Sequence, residues 1–355
     1  MKKLLFILFT ILAVNSFAQY PRVDIPGSEV RKITSSIVTG QEYELHILFP
    51  GSYMSSAKKY PVVYLMDSQW DFSLVKSIYG QQYYDGFIPE LIIVGVTWGG
   101  IKPNPDSLRA RDYTPTGVTG APQTGGADKF LSFMKNELFP FIEKNYKADS
   151  SKRILMGCSL GGLFTIYTMF TQPELFTGYA AASPAIGWDR EVMYRFEKDF
   201  FQKKLSKPVR LYMTVGDVEG GRPAYEKFAA QMISRNYSSV SIHSKILENT
   251  GHSGTKSETY SRGLQYIFER PKLSLDTKLL DKYAGIYVSA TGNRIEIKKE
   301  NSSLVLFYSP FNKYQLFAST ETGFYSTSEF LNIEFMKDSL RLERYGNTVI
   351  LTKTK

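Results

Sequence analysis

The stretch Arg153-Ile-Leu-Met-Gly-Cys-Ser-Leu-Gly-Gly-Leu163 decides how the chain folds. A short apolar run, Arg153 to Met156, gives way to Gly157-Cys158-Ser159-Leu160-Gly161, and a helical pattern follows from Leu163 to Thr171. Strand, sharp turn and helix in that order, with Ser at the apex of G-x-S-x-G, form the setting of a nucleophile elbow. The glycines have a physical reason. The serine sits at strained backbone angles in a turn so tight that side chains two residues to either side would clash, which Gly157 and Gly161 avoid, while Gly162 lets the helix pack close.

Working outward, the runs Pro61 to Met66, Leu91 to Thr97, Gly178 to Ala182, Val209 to Val215 and Val240 to Leu247 are each followed by a helix-like or loop segment. That alternation predicts an α/β architecture, a mostly parallel sheet covered on both faces. Upstream, residues Ile33 to Pro50 alternate around Thr39-Gly40-Gln41 and predict an antiparallel hairpin at a sheet edge. The clearest helix is Ala127 to Tyr146, with Phe130, Phe133, Met134, Leu138, Phe141 and Ile142 at helical spacing and a kink or break expected at Pro140. Residues 98–126 are rich in Gly, Pro and Thr without periodicity and read as a long loop. After Pro271 the character changes to short β-rich segments: Gly285 to Val288, Arg294 to Lys298, Leu304 to Tyr308, Tyr314 to Phe317, Leu331 to Phe335 and Val349 to Thr352. A chain of 355 residues exceeds one comfortable core, so an α/β unit over residues 19–272 and a small all-β unit over 273–355 are expected.

A serine hydroxyl is a weak nucleophile near neutral pH and needs a hydrogen-bonded base held by a carboxylate. Only three histidines are available. His46 lies in the early hairpin and His243 within a strand-like run, whereas His252 sits in Asn249-Thr250-Gly251-His252-Ser253-Gly254, a loop after the last strand of the sheet and before a helix. His252 is therefore the candidate base. The acid belongs between nucleophile and base in chain order, on the turn Gly216-Asp217-Val218-Glu219 that follows Val209 to Val215. Spacing leaves Asp217 and Glu219 both open; the G-x-x-acid pattern favours Glu219, with Asp217 then bracing the loop. The two oxyanion donors are expected from the backbone N–H of Leu160, after the nucleophile, and from the turn Asp67-Ser68-Gln69, with Gln69 preferred over Ser68. Cys158, the only cysteine, precludes an intramolecular disulfide and C-x-x-C chemistry, and its elbow position is one that turns into the core.

Residues 1–18 read as a secretory signal: Lys2 and Lys3, the apolar Leu4 to Val14, then Ser16-Phe17-Ala18 as a small-x-small cleavage site. The mature chain is expected to begin at Gln19, in the periplasm or outside the cell. The apolar run is short of the roughly 20 residues that a spanning helix needs, so no lasting membrane insertion is expected. A net charge of +9, with Lys and Arg interspersed among Asp and Glu, gives no case for a nucleic-acid partner.

Several stretches taken together resemble the putative-esterase family of α/β-hydrolases, which includes enterobactin esterases, feruloyl esterases, esterase D and mycolyltransferases. They are Pro61-Val-Val-Tyr-Leu-Met-Asp67, Arg111-Asp-Tyr-Thr-Pro115, Gly125-Gly-Ala-Asp-Lys-Phe130, the elbow itself and Ser183-Pro184, over roughly residues 30–270. The pattern is most similar to the enterobactin-esterase-like branch, in which Ser-Pro is followed by a Trp, here Trp188, and a G-x-x-E turn carries Glu219. The resemblance implies the α/β-hydrolase fold and a triad of Ser159, His252 and Glu219, with no metal or other cofactor. Leu280-Asp-Lys-Tyr-Ala-Gly-Ile-Tyr287 resembles the start of a small β-barrel-like domain appended to bacterial hydrolases.

The expected activity is hydrolysis of a carboxylic ester through an acyl-enzyme, on a small siderophore or glycan-linked substrate. Arg109, Arg111, Trp98 and Trp188 are candidate pocket residues for an aromatic or anionic acyl group. Acyl transfer on the same triad, or a non-catalytic module holding glycan or siderophore, are the competing readings.

Overall fold

A computed structural model describes residues 24–354 apart from 122 and 310. The expected signal segment 1–18 and the expected start at Gln19 lie outside the described residues.

Eight strands form one sheet: β1 (Ser28–Thr34), β2 (Glu42–Leu48), β3 (Tyr60–Leu65), β4 (Ile92–Trp98), β5 (Ala148–Cys158), β6 (Gly178–Ala182), β7 (Val209–Gly216) and β8 (Val240–Leu247). Their order is β1-β2-β4-β3-β5-β6-β7-β8, and every neighbouring pair from β4 onward is parallel. The expected hairpin is present as the antiparallel pair β1 and β2 at one edge, and β2 runs antiparallel to β4. Both faces are covered. Along β3 and just beyond it, Val62, Tyr64 and Met66 enter one apolar core while Val63 and Leu65 enter the other, as the two-residue period of a strand requires. This is why β3 reads as an unbroken apolar run.

Of the expectations within this layer, one needs refining and one correction. The helix over 127–146 is disturbed next to Pro140, as expected, but by a change of helix type and not by a break. It runs as α-helix Ala127–Phe133, widens to a π-helical turn at Met134–Leu138, and resumes as α-helix Phe139–Asn145 with Pro140 in its first turn, where the missing N–H is least costly. The expected loop 98–126 contains a helix, Pro105–Tyr113, started by Asn104, whose side chain accepts from the Ser107 N–H at 3.2 Å. It has no apolar stripe to announce it, because polar contacts hold it down: Arg109 pairs with Asp67, and Asp112 accepts from Trp98 and Tyr43 of the sheet.

The chain then forms a closed antiparallel barrel of eight strands: β9 (Gly285–Ser289), β10 (Arg294–Glu300), β11 (Ser303–Phe307), β12 (Lys313–Ala318), β13 (Gly323–Tyr325), β14 (Leu331–Phe335), β15 (Ser339–Arg344) and β16 (Asn347–Lys353). Each strand pairs with the next, and β16 returns to β9, so no edge is left open. Its own core includes Ile295, Leu304, Leu306, Leu331, Phe335 and Leu351. Six of the eight strands are visible in the sequence; β13 has only three residues, and in β15 charged residues obscure the alternation of Leu340 and Leu342.

The barrel docks on the end of the helix Ser68–Tyr84. Phe330 donates its N–H to the Tyr84 carbonyl at 3.0 Å, and the Tyr83 and Phe330 rings lie 4.7 Å apart. Among the described residues no helix is long and apolar enough to cross a membrane. Gly86, at φ 77°, sits in the joint, and a Cβ there would lie 2.6 Å from the Glu329 carbonyl oxygen. Gly86→Ala is therefore expected to lower stability by roughly 2 kcal/mol, combining left-handed strain with displacement of the joint. A urea midpoint equal to that of the unmodified chain would contradict this placement.

Candidate active site

Ser159 stands between β5 and the helix Leu160–Thr171 at φ 59° and ψ −116°, a strained conformation for a residue with a side chain. The surroundings tolerate it because they are glycine. A Cβ on Gly157 would lie 2.5 Å from the Gly161 carbonyl oxygen, and one on Gly162 would lie 3.0 Å from the Ala182 carbonyl oxygen. The Ser159 N–H donates to that same Ala182 oxygen at 2.9 Å, which pins the elbow to the end of β6.

The next strands bring the other groups to the same edge of the sheet. Glu219 lies just past β7, and its Oε2 is 2.6 Å from Nδ1 of His252, in the loop that follows β8. A carboxylate only accepts, so Nδ1 carries the hydrogen and Nε2 is left free to take a proton. The other oxygen, Oε1, accepts from the Ser183 hydroxyl at 2.6 Å and from the Gly216 N–H at 2.7 Å. Burial alone would raise the Glu219 pKa, but the bonds from Ser183, His252 and Gly216 outweigh it and hold the carboxyl below its ordinary range. Asp217 has a different partner. It accepts from the Thr250 N–H at 3.1 Å and so braces the loop that carries His252. Among the described residues no hydrogen bond joins Ser159 to His252 in this state; such contacts often tighten only once substrate is bound.

The backbone N–H groups of Leu160 and Gln69 open their respective helices, and neither has a hydrogen-bond partner among the described residues. The Gln69 side-chain amide is also buried without a partner. Next to it Asp67, at φ 55°, receives a two-pronged ion pair from Arg109, Nε to Oδ1 at 3.1 Å and Nη2 to Oδ2 at 2.9 Å. The same Nη2 reaches the Cys158 carbonyl at 3.3 Å, so Arg109 ties the Gln69 turn to the elbow. Burial pushes the Asp67 carboxyl up, against the opposing effect of Arg109.

Three of the four candidate pocket residues are therefore engaged elsewhere. Arg109 is a brace. Trp98 is only 4% exposed and gives its indole N–H to Asp112 at 2.7 Å, so it is a core residue and not a pocket wall. Arg111 makes both its bonds to the same Asp112, which Tyr43 also reaches at 2.8 Å. Trp188 is partly buried against the core, with its indole N–H on the Thr116 carbonyl at 3.3 Å. Sequence reasoning gave no role to Ser183 or to Trp70. Trp70 is half exposed beside Gln69, with the Arg109 guanidinium 5.7 Å from its ring centre. Its place immediately after the Gln69 donor was the available clue. His46 and His243 lie apart from this group: His46 bonds Ser68 at 2.8 Å, and His243 stacks on Tyr212. Among the described residues no cluster of three or more His, Cys, Asp or Glu side chains could hold a metal.

Cys158 is 3% exposed, and burial pushes its thiol up to about 12. The thiolate needed for alkylation is thus nearly absent at pH 8. Iodoacetamide at pH 8 is expected to leave activity intact and to label Cys158 only after denaturation; rapid labelling of the native chain with loss of activity would show a reactive elbow thiol instead.

Known proteins share this arrangement of elements. The ferri-bacillibactin esterase BesA of Bacillus subtilis (strain 168) is 29% identical over 279 residues, 71% of this chain and 93% of its own. The siderophore triacetylfusarinine C esterase of Aspergillus fumigatus is 26% identical over 189 residues, 51% of this chain and 64% of its own. The crystal structure of the BES protein from Bacillus cereus superposes with a TM-score of 0.64 at 25% identity, covering 70% of this chain and 98% of that one. Residues 36–220, just over half the chain, match the family described as Putative esterase, and the chain belongs to that family as a carboxylic ester hydrolase.

Proposed function

We propose that the chain is an exported serine esterase of the siderophore-ester type, working through Ser159, His252 and Glu219. The observation that carries this reading is the Glu219 carboxylate, held on one oxygen by Ser183 and Gly216 and presenting the other to His252 at 2.6 Å, on the sheet edge where Ser159 is strained outward. Ser159 Oγ attacks the ester carbonyl as its proton passes to His252 Nε2. Glu219 keeps the ring in the Nδ1–H tautomer and stabilises the imidazolium that forms. The N–H groups of Leu160 and Gln69 receive the negative oxygen of the tetrahedral intermediate. The proton returns to the leaving alcohol, and water repeats the sequence on the acyl-enzyme to release the acid.

The substrate class is supported by the relatives, one named a ferri-bacillibactin esterase and another a siderophore triacetylfusarinine C esterase. Half-exposed Trp70 beside Gln69 adds an aromatic edge suited to an aromatic acyl group. Export rests on residues 1–18, with cleavage after Ala18 and action in the periplasm or outside the cell.

The test is steady-state hydrolysis of p-nitrophenyl acetate, a ferric catecholate trilactone and a feruloyl ester. Ser159→Ala is expected to cost on the order of 10⁶ in turnover, and Glu219→Gln on the order of 10⁴ through loss of the tautomer. Asp217→Asn, which touches only the loop, is expected to stay within about tenfold. A Ser159→Ala protein that keeps turnover, or an Asp217→Asn defect as large as that of Glu219→Gln, would overturn these assignments. The trilactone is expected to be the best substrate, and preference for the feruloyl ester would move the reading to carbohydrate esters.

A further inference from the structure

A cavity of about 420 Å³ lies where the barrel meets the sheet, and no residue of the site described above lines it. Tyr212 of β7 and His243 of β8 form one wall, their rings stacked 4.9 Å apart at 9°, and Tyr266 of the helix Thr255–Ile267 stands 5.6 Å from His243. Tyr325 of β13 faces them from the barrel. Flat rings of this kind suit a ligand that is itself a ring.

The charges of the walls do not balance. Lys245 and Glu258 neutralise one another at 2.7 Å, which leaves Arg262, Arg270 and Lys272 against Glu269. Arg270 is the informative one. Its guanidinium touches only neutral groups, Asn332 Oδ1 at 2.5 Å, the Gly86 carbonyl at 3.0 Å and the face of Tyr325 at 3.7 Å; the nearby carboxylate of Glu343 is bonded to the far side of Asn332 and, among the described residues, makes no salt bridge with it. Burial draws its pKa down to about 10. A guanidinium taken from water without an anion in direct contact is held at a cost, and its planar fork matches a carboxylate.

We propose that this interdomain cavity is a second binding site, for a carboxylate borne on a six-membered ring, with Arg270 and Lys272 meeting the anion and the Tyr212, His243 and Tyr266 rings lying against the ligand. Such a ring can come from an aromatic acid or a sugar acid. Both present the same carboxylate, and the experiment separates them.

Titration calorimetry on the full chain would use sodium benzoate and sodium glucuronate, with benzyl alcohol and sodium sulfate as probes lacking the charge and the ring. One of the two ring acids is expected to bind at one site per chain, with unchanged affinity in Ser159→Ala and at least tenfold weaker affinity in both Arg270→Met and Lys272→Glu. Lys272→Glu leaves the Arg270 contacts in place, so its effect is separable from damage to the joint. The proposal is overturned if neither acid binds, if Lys272→Glu binds like the unmodified chain, if sulfate or benzyl alcohol binds as tightly as the acids, or if the acid inhibits p-nitrophenyl acetate hydrolysis competitively at the concentrations that fill the calorimetric site, which would locate it in the active site.

Discussion

A serine forced to φ 59° at the end of a buried strand is the constraint on which the rest of the structure depends. The angle turns the chain sharply enough to start a helix at once and aims Oγ out of the sheet. Residues on either side then come too close for side chains, hence Gly157, Gly161 and Gly162. The turn also needs outside support, because a strained residue persists only where its surroundings over-determine it. That support comes from β6: its last carbonyl, on Ala182, receives the Ser159 N–H, and the next residue, Ser183, hydrogen-bonds Glu219. The strain at Ser159 and the orientation of Glu219 thus share one anchor at the end of β6.

The fold was legible in the sequence where burial dictates composition. Strands covered on both faces are apolar almost throughout, so β3, β4, β6 and β7 appear as runs within a residue or two of their ends, whereas the edge strand β8 shows as an alternation of Val240, Ile242 and Ile246 with polar residues. The helix Pro105–Tyr113 escaped notice for the opposite reason: polar contacts stabilise it, and a chain pattern of apolar residues carries no trace of an ion pair made with Asp67, 42 residues away. The same blindness explains the site. Ser159, Glu219 and His252 were visible because elbow, turn and loop follow strands in a known order. Arg109 looked like a pocket residue because its partner is remote in sequence, and Trp98 because a buried indole and an exposed one are written with the same letter.

Asp67 shows how a buried charge can be justified by geometry and not by net stability. Removing a carboxylate and a guanidinium from water costs several kcal/mol each, and their attraction offsets this only with good geometry. Here the pair is two-pronged, and the guanidinium continues to the Cys158 carbonyl, so it spans the two segments that carry the Gln69 and Leu160 N–H groups, the proposed oxyanion donors. Two donors converging on a point need a fixed distance between their carriers. An apolar pair could fill the same volume, but it would not define that distance by directed bonds.

The barrel contributes no side chain to this group, yet it is not remote from it. The helix that opens with Ser68 and Gln69 closes with Tyr83 and Tyr84, and Tyr84 is where the barrel's Phe330 hydrogen-bonds. Along its length this helix is held by Asp71 to Lys256 and Tyr260, and next to its other end by the Asp67 pair. A 17-residue helix spans about 25 Å and cannot be displaced at one end without moving the other. Docking the barrel therefore restrains the same rigid element that positions the Gln69 N–H, which gives a domain outside the chemistry a physical route to influence it.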